Sequence, residues 1–373
     1  MMITEIRTGT LLEVKHISVD YGSSKGIVHA VNDVSFAIEQ GQIFGLAGES
    51  GSGKSTLVYA IARLLQPPAV ITQGQVLYYP TTRAGSESSQ AGEAVDVLAL
   101  NPAQLRAFRW RELSIVFQSA MNALNPVLAI GTQIIDVLRA HDPCMTRNEA
   151  RSRALELLQL VGITPDRLHS YPHELSGGMR QRAIIAIALA LNSKLIIMDE
   201  PTTALDVVVQ RDILAQILRL RNDLGFSVIF ITHDLSLLLE IADTIAIMYA
   251  GRIVEMGTRE ELLRAPRHPY TYGLLHSFPK LHGPSRSLRG IPGSPPDLRS
   301  IPSGCAFHPR CSFTLPACHT VVPALLPVAS EKSKAPSLEA LSSGHGPCVA
   351  CHLYTTELNP GGPPERLESE YVN

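Results

Sequence analysis

Gln42-Ile-Phe-Gly-Leu-Ala47-Gly48-Glu49-Ser50-Gly51-Ser52-Gly53-Lys54-Ser55-Thr56 is the stretch on which the fold turns. The apolar run ending at Ala47 predicts a short buried strand, and apolar residues at 57, 58, 61, 64 and 65 predict a helix from Ser55 to Leu65. Between them, Gly48 to Ser55 fits G-x-x-x-x-G-K-[ST], the phosphate-binding loop, in the strand–loop–helix setting that its mechanism needs. Glycines let successive backbone N–H groups turn onto phosphate oxygens, and the following helix adds the positive end of its dipole. In that setting Lys54 reaches the β and γ phosphates, and the Ser55 hydroxyl ligates Mg²⁺.

Working outward, residues 12 to about 265 alternate short β-branched runs with amphipathic helical ones, which reads as α/β with a largely parallel sheet. Lys194–Met198 and Phe226–Ile231 predict buried strands separated by a helix over Val207–Leu224. The first of these runs into Asp199-Glu200, two adjacent carboxylates at a strand's C-terminal end, where open α/β sheets place their ligands. Asp199 is expected to hold Mg²⁺ through water, and Glu200 to orient and deprotonate the attacking water. Residues 104–170 are almost all helical in pattern (Gln104–Leu113, Gly131–His141, Arg147–Val161), which suggests a helical subdomain inserted in the α/β core. Thr81–Glu93 is rich in Ser, Gly and Glu without periodicity and reads as a solvated loop. Beyond about Pro266, Pro and Ser rise and periodicity weakens, marking a separate C-terminal extension.

At 373 residues the chain has room for two or three domains of roughly 100–200 residues each. Lys plus Arg total 32 against 34 Asp plus Glu, a net charge of -2, so no global basic excess points to non-specific nucleic-acid or membrane-surface binding. The longest apolar run, Ala183–Leu191, falls far short of the ~20 residues of a membrane-spanning helix. Met1–Glu13 lacks the continuous hydrophobic stretch of a secretory signal, so the expected compartment is the cytoplasm. Of six cysteines, Cys144 stands alone, while Cys305, Cys311, Cys318, Cys348 and Cys351 cluster near the C-terminus. In a reducing compartment such clustering favours a metal site over disulfides. Their spacing, C-x5-C-x6-C and then C-x2-C, is neither that of two short-spaced zinc pairs nor that of a bacterial ferredoxin. Zinc, an iron–sulphur cluster and unligated thiols all stay open on residues alone.

Leu175-Ser176-Gly177-Gly178-Met179-Arg180-Gln181-Arg182 opens a helix with two glycines after a potential N-cap serine, and it resembles the signature sequence of ABC-transporter ATPases. Other motifs follow in that family's order: Tyr21 as the adenine-stacking aromatic, Gln118 in Val-Phe-Gln, Ala204-Leu205-Asp206 as the D-loop, and His233 in Ile-Thr-His-Asp. The resemblance implies a P-loop NTPase cassette: a RecA-like core (12–103 and 193–265) with an antiparallel β edge and an inserted helical subdomain (about 104–192), followed by the cysteine-containing extension at 266–373. It implies ATP and Mg²⁺ as cofactors, held by Tyr21, Gly48 through Thr56 (with Glu49, Ser50, Gly51, Ser52 and Gly53), Gln118, Asp199 and Asp206. Glu200, His233 and Lys54 would be catalytic, with Mg²⁺ on Ser55, Gln118 and Asp199. In ABC proteins two cassettes pair head to tail, so Ser176, Gly177 and Gly178 would close the partner's ATP site.

More narrowly, Asn125-Pro126, Tyr171 through Arg182, His268-Pro-Tyr270, Ile291-Pro-Gly293 and Gly304-Cys-Ala-Phe-His-Pro-Arg-Cys311 resemble the oligopeptide/dipeptide importer ATPases, including relatives that serve nickel or glycoside importers. Ser119-Ala120 departs from that family's acidic residue and proline after the glutamine, a departure that touches coupling to the permease and not the ATP chemistry. The resemblance implies a [4Fe-4S] cluster on Cys305, Cys311, Cys318 and Cys351, with Zn²⁺ as the alternative and Cys348 an extra thiol. It also implies two transmembrane permease subunits, a second ABC ATPase, an extracytoplasmic solute-binding protein reached through the complex, and a peripheral place at the cytoplasmic face of the membrane. No nucleic-acid partner is expected. A soluble nucleic-acid-associated ABC ATPase would share the ATP chemistry, but it is disfavoured by the acidic balance and by the absence of a long coiled-coil insertion.

Overall fold

A computed structural model describes residues 9–24, 26–80, 94–118, 123–203, 205–277, 290–328, 346–364 and 367. The strands are β1 (Thr10–Ser23), β2 (Gly26–Glu39), β3 (Ile43–Ala47), β4 (Ala69–Tyr78), β5 (Val95–Asp96), β6 (Leu113–Val116), β7 (Leu195–Asp199), β8 (Ser227–Ile231), β9 (Thr244–Tyr249), β10 (Arg252–Thr258), β11 (Leu326–Pro327) and β12 (Cys348–Val349). The helices are α1 (Lys54–Ile61), α2 (Pro102–Phe108), α3 (Ile130–His141), α4 (Arg147–Leu160), α5 (Gly177–Ala188), α6 (Val207–Leu224), α7 (Leu235–Ile241), α8 (Arg259–Arg264) and α9 (Pro269–His276). They fall into two compact units, one built on Glu39–Ile43 and Ala99–Ile231, the other on Thr10–Ile38, Phe44–Leu98 and Thr232 onward.

The second unit carries the phosphate loop. Phe44 to Ala47 of β3 run parallel to Thr244–Ile247 of β9. Both strands are buried at every residue, as continuous apolar strands covered on both faces are. Antiparallel ladders continue from β9 to β10, from β10 to β12 and from β12 to β11. A separate sheet in the order β2-β1-β4-β5, with antiparallel β1–β4 and β4–β5 ladders, forms the expected antiparallel edge. Phe36 of β2 stacks on Phe44 of β3 with ring centroids 4.6 Å apart.

In the first unit β6, β7 and β8 are parallel, with Leu113 opposite Leu195 and Leu195 opposite Ser227. Helices α3, α4 and α5 pack on one another and bury Ile134, Leu138, Ala154, Leu157 and Ile185. Helix α6 spans Val207–Leu224 as its sequence predicts, ended by Gly225 in the left-handed region at φ 71°. Among the described residues no helix is long and apolar enough to cross a membrane.

Two local expectations are corrected. Gln104–Leu113 is not one helix: α2 starts at Pro102 under an Asn101 cap and stops at Phe108, because Arg109 turns extended and Trp110 takes φ 71°. Leu113 then opens β6, so a strand lies inside the span read as helical. Helix α1 ends at Ile61 and not at Leu65, because Arg63 sits at φ 54° and breaks the helical path. Thr81–Glu93, Ser119-Ala120 and Ala204 lie outside the described residues.

Candidate active site

The phosphate loop is shaped by steric necessity. A Cβ at Gly48 (φ 147°) would lie 2.2 Å from the Met248 carbonyl oxygen, and one at Gly53 (φ 101°) would lie 2.2 Å from that of Ala30. No other residue fits at either position without moving backbone. Gly53 is also the left-handed N-cap of α1, so the loop delivers the chain directly into that helix. Lys54 is buried and folded back into the loop: its Nζ donates to the carbonyls of Gly48 (2.8 Å) and Glu49 (2.9 Å) and to Ser52 Oγ (3.4 Å). Ser50 and Gly51 are exposed and Ser55 and Thr56 half-buried, so the rim of the loop faces solvent. Tyr21, half-buried on β1, brings its hydroxyl to 3.3 Å from Thr56 Oγ1, which seats the aromatic ring beside the start of α1. A cavity of about 620 Å³ in the same unit, lined by Phe36, Tyr249, Phe307 and Val322 among others, takes in none of these residues.

The first unit holds the carboxylates. Asp199 ends β7 fully buried, and Glu200 follows at φ 47°, a left-handed position that carries its side chain out of the strand's path. Gln118 Nε2 donates to Glu200 Oε2 at 3.0 Å, and Thr203 Oγ1 donates to the same oxygen at 3.0 Å. The structure thus brings the Gln118 amide and the candidate base together. Ser176 is the N-cap of α5 as its sequence predicts, accepting from the Met179 N–H at 3.3 Å. Gly178 is required by packing, since a Cβ there would lie 2.7 Å from Val209 Cγ1 on α6. Asp206 caps α6, taking the N–H groups of Val208 and Val209 at 3.1 and 3.0 Å. His233 belongs to the second unit and is exposed, in a turn where the Asp234 N–H donates to Thr232 Oγ1 at 3.0 Å.

Three of the clustered thiols are pushed up from their ordinary range. Burial pushes the Cys351 thiol up, and Cys311, Cys305 and Cys318 add to the rise. Cys311 is raised to about 11, first by burial and then by its thiol neighbours. The Cys305 N–H donates to the Cys318 carbonyl at 2.8 Å, an approach open only because a Cβ on Gly304 would lie 2.3 Å from that oxygen. Cys348 is buried on β12, and burial pushes its thiol up to about 11, with Arg267 pulling it down and Glu261 adding to the rise. Among the described residues no three His, Cys, Asp or Glu groups stand as a ready metal site. Burial raises the Cys305, Cys311 and Cys351 thiols above their ordinary range, so metal ligation there has to displace their protons.

The residue patterns missed four participants. Arg310 and Tyr270 lie inside quoted motifs without an assigned role, and both touch Glu49 of the phosphate loop. Tyr249 hydrogen-bonds Arg310, and Thr203 shares the Glu200 carboxylate.

A phosphate loop on a parallel-sheet strand, a strand-terminal carboxylate pair and a glycine-opened helix define a nucleotide-binding cassette. The ABC transporter family profile matches residues 31–203, and that of the oligopeptide/dipeptide transporter C-terminal region matches 254–318. The oligopeptide transport ATP-binding protein OppD of Bacillus subtilis is 43% identical over 314 residues, covering 83% of this chain and 84% of that protein. The dipeptide transport ATP-binding protein DppD of Lactococcus lactis subsp. cremoris is 42% identical over 307 residues, covering 82% and 84%. A solved ATP-binding cassette, dimeric and bound to ADP and Pi, superposes with a TM-score of 0.57 at 27% identity over 67% of this chain and 99% of that one. The chain belongs to the ABC-transporter ATP-binding proteins of the oligopeptide/dipeptide type and is an ATPase of that class.

Proposed function

We propose that this chain binds and hydrolyses ATP to energise uptake of di- or oligopeptides across the cytoplasmic membrane, as a peripheral subunit working with two permeases, a second ATPase and a solute-binding protein. The division into a cassette (12–265) and an extension (266–373) belongs to the same reading. The observation that carries it is the Lys54 ammonium held inside its loop on two carbonyls. Arriving phosphate oxygens exchange those neutral acceptors for charged ones, which make the stronger hydrogen bonds.

In this reading Tyr21 stacks on adenine, Ser55 and Asp199 hold Mg²⁺, and Gln118 reports its presence to Glu200. Glu200 takes the proton from the attacking water, and His233 orients that water against the γ-phosphate. Positioning and charge, rather than covalent chemistry, lower the barrier. The two-glycine opening of α5 serves the ATP of a partner cassette, for which the dimeric solved relative is the support. Metal at Cys305, Cys311, Cys318 and Cys351 is the finer part of the proposal, supported by the influence of Cys311, Cys305 and Cys318 on the Cys351 thiol and by the hydrogen bond from the Cys305 N–H to the Cys318 carbonyl.

The test is a Glu200→Gln chain recovered from gently solubilised membranes. It is expected to retain the permeases, bind ATP and lose nearly all hydrolysis. Wild-type turnover would overturn the assigned base, and recovery without permeases would overturn the transport role.

A further inference from the structure

Three sequence motifs with no assigned chemistry converge, directly or through one another, on Glu49 of the phosphate loop. From His268-Pro-Tyr270, the Tyr270 hydroxyl accepts the Glu49 backbone N–H at 2.8 Å. From Gly304 through Cys311, Arg310 sets its guanidinium fork on the Glu49 carboxylate, Nη1 to Oε2 at 2.7 Å and Nη2 to Oε1 at 3.0 Å. From Ile291-Pro-Gly293, the Pro292 carbonyl accepts Arg310 Nε at 2.7 Å and fixes the fork's direction.

The Arg310 side chain is only 6% exposed, against 27% for Glu49. Its guanidinium lies 5.8 Å from the Tyr249 ring centroid and 5.9 Å from that of Phe307, and those two rings pack on each other and on Tyr270. Its backbone belongs to the turn His308–Arg310, directly before Cys311. Burial pulls against the charge of this arginine, and the hydrogen bonds and charges of Glu49 and Tyr249 together outweigh it.

Glu49 is an electrostatic liability where it stands. It is the second residue of a loop built to receive polyphosphate, and a bare carboxylate there repels the ligand that its own backbone and Lys54 attract. We propose that Arg310 is a positioning residue for ATP: by neutralising Glu49 and pinning it sideways, the C-terminal extension completes the phosphate loop. A bidentate fork suits this role where a lysine would not, because two parallel bonds fix the carboxylate's orientation as well as its charge. The extension is thereby part of the nucleotide site, and the segment between Cys305 and Cys311 sets the loop's affinity.

This inference rests on the ATP-binding reading of the loop. The test uses the full-length chain with three variants: Arg310→Met, Arg310→Lys, and Glu49→Gln combined with Arg310→Met. Equilibrium Mg-ATP binding is measured beside steady-state KM and kcat, with a thermal melt of each chain. Arg310→Met is expected to weaken ATP binding and raise KM on the order of 10-fold, the effect of one uncompensated carboxylate beside a multiply charged phosphate, with kcat at saturation little changed. Arg310→Lys recovers part of the loss. The double variant recovers most of it, because the repelling charge is gone. Wild-type affinity in a folded Arg310→Met chain overturns the inference. So does a double variant as weak as the single one, which would make Arg310 a packing residue only. A wild-type chain that binds no ATP would instead overturn the nucleotide reading beneath it.

Discussion

Glu255 sets a pH dependence that can be worked through. It lies fully buried on β10, where its carboxylate accepts the N–H groups of Arg267 at 2.7 Å and His268 at 2.8 Å. Burial pushes its carboxyl from the ordinary 4.5 up to about 7, against the pull of those bonds and of the nearby Arg267 charge. His268, equally buried, is pushed down to about 3 and so stays neutral across the window that matters. The folded chain therefore keeps a proton that the unfolded chain has released. The stability from this group is whole below pH 4.5 and is lost as pH rises through about 7, a total of about 3 kcal/mol. Glu255→Gln cannot titrate, and its single amide oxygen meets only one of the two N–H donors, which costs about 1–3 kcal/mol at every pH. Paired thermal melts of wild type and variant from pH 5 to 9 at fixed ionic strength isolate the effect. The wild type should melt above the variant at pH 5, and the balance should move by about 2.5 kcal/mol in the variant's favour toward pH 9, closing or reversing the gap. A gap that stays constant would refute the reasoning, since it would mean that Glu255 keeps one protonation state throughout.

Gly178→Ala should cost about 1–3 kcal/mol, because the added methyl meets Val209 at 2.7 Å; adding Val209→Ala should recover most of it in denaturant unfolding, and an unaffected single variant would contradict the packing account. Anaerobically purified chain should contain iron and labile sulphide that are lost together when Cys311 is changed to Ser, while stoichiometric zinc without iron would remove the cluster from the reading.

The site was legible where one short segment carries its own geometry. Gly48 to Ser55 fixes turn, donor row and helix start within one loop, and Ser176 announces its cap by standing before two glycines. Strand β7 was equally plain, because an apolar run ending in Asp199-Glu200 has few other readings. What escaped depends on partners distant along the chain. Nothing near Glu49 signals that a residue of the extension neutralises it, and nothing near Gln118 signals that its amide binds Glu200. The local errors have a different cause: Arg109–Leu113 and Ala62–Leu65 carry no Gly or Pro, yet Trp110 and Arg63 take left-handed backbone that apolar spacing cannot register.

The ladder from β12 to β10 pairs Val349 with Glu255 and Cys348 with Met256. During synthesis β10 emerges long before β12, so Glu255 and Met256 stay without their ladder partners until Cys348 and Val349 have been made. Such an edge is open to pairing with other chains, which gives the nascent subunit an interval of aggregation risk that closes only once β12 has emerged. Messages truncated before residue 348 would yield cassettes with that edge permanently bare, and an insoluble fate for such fragments follows from the topology.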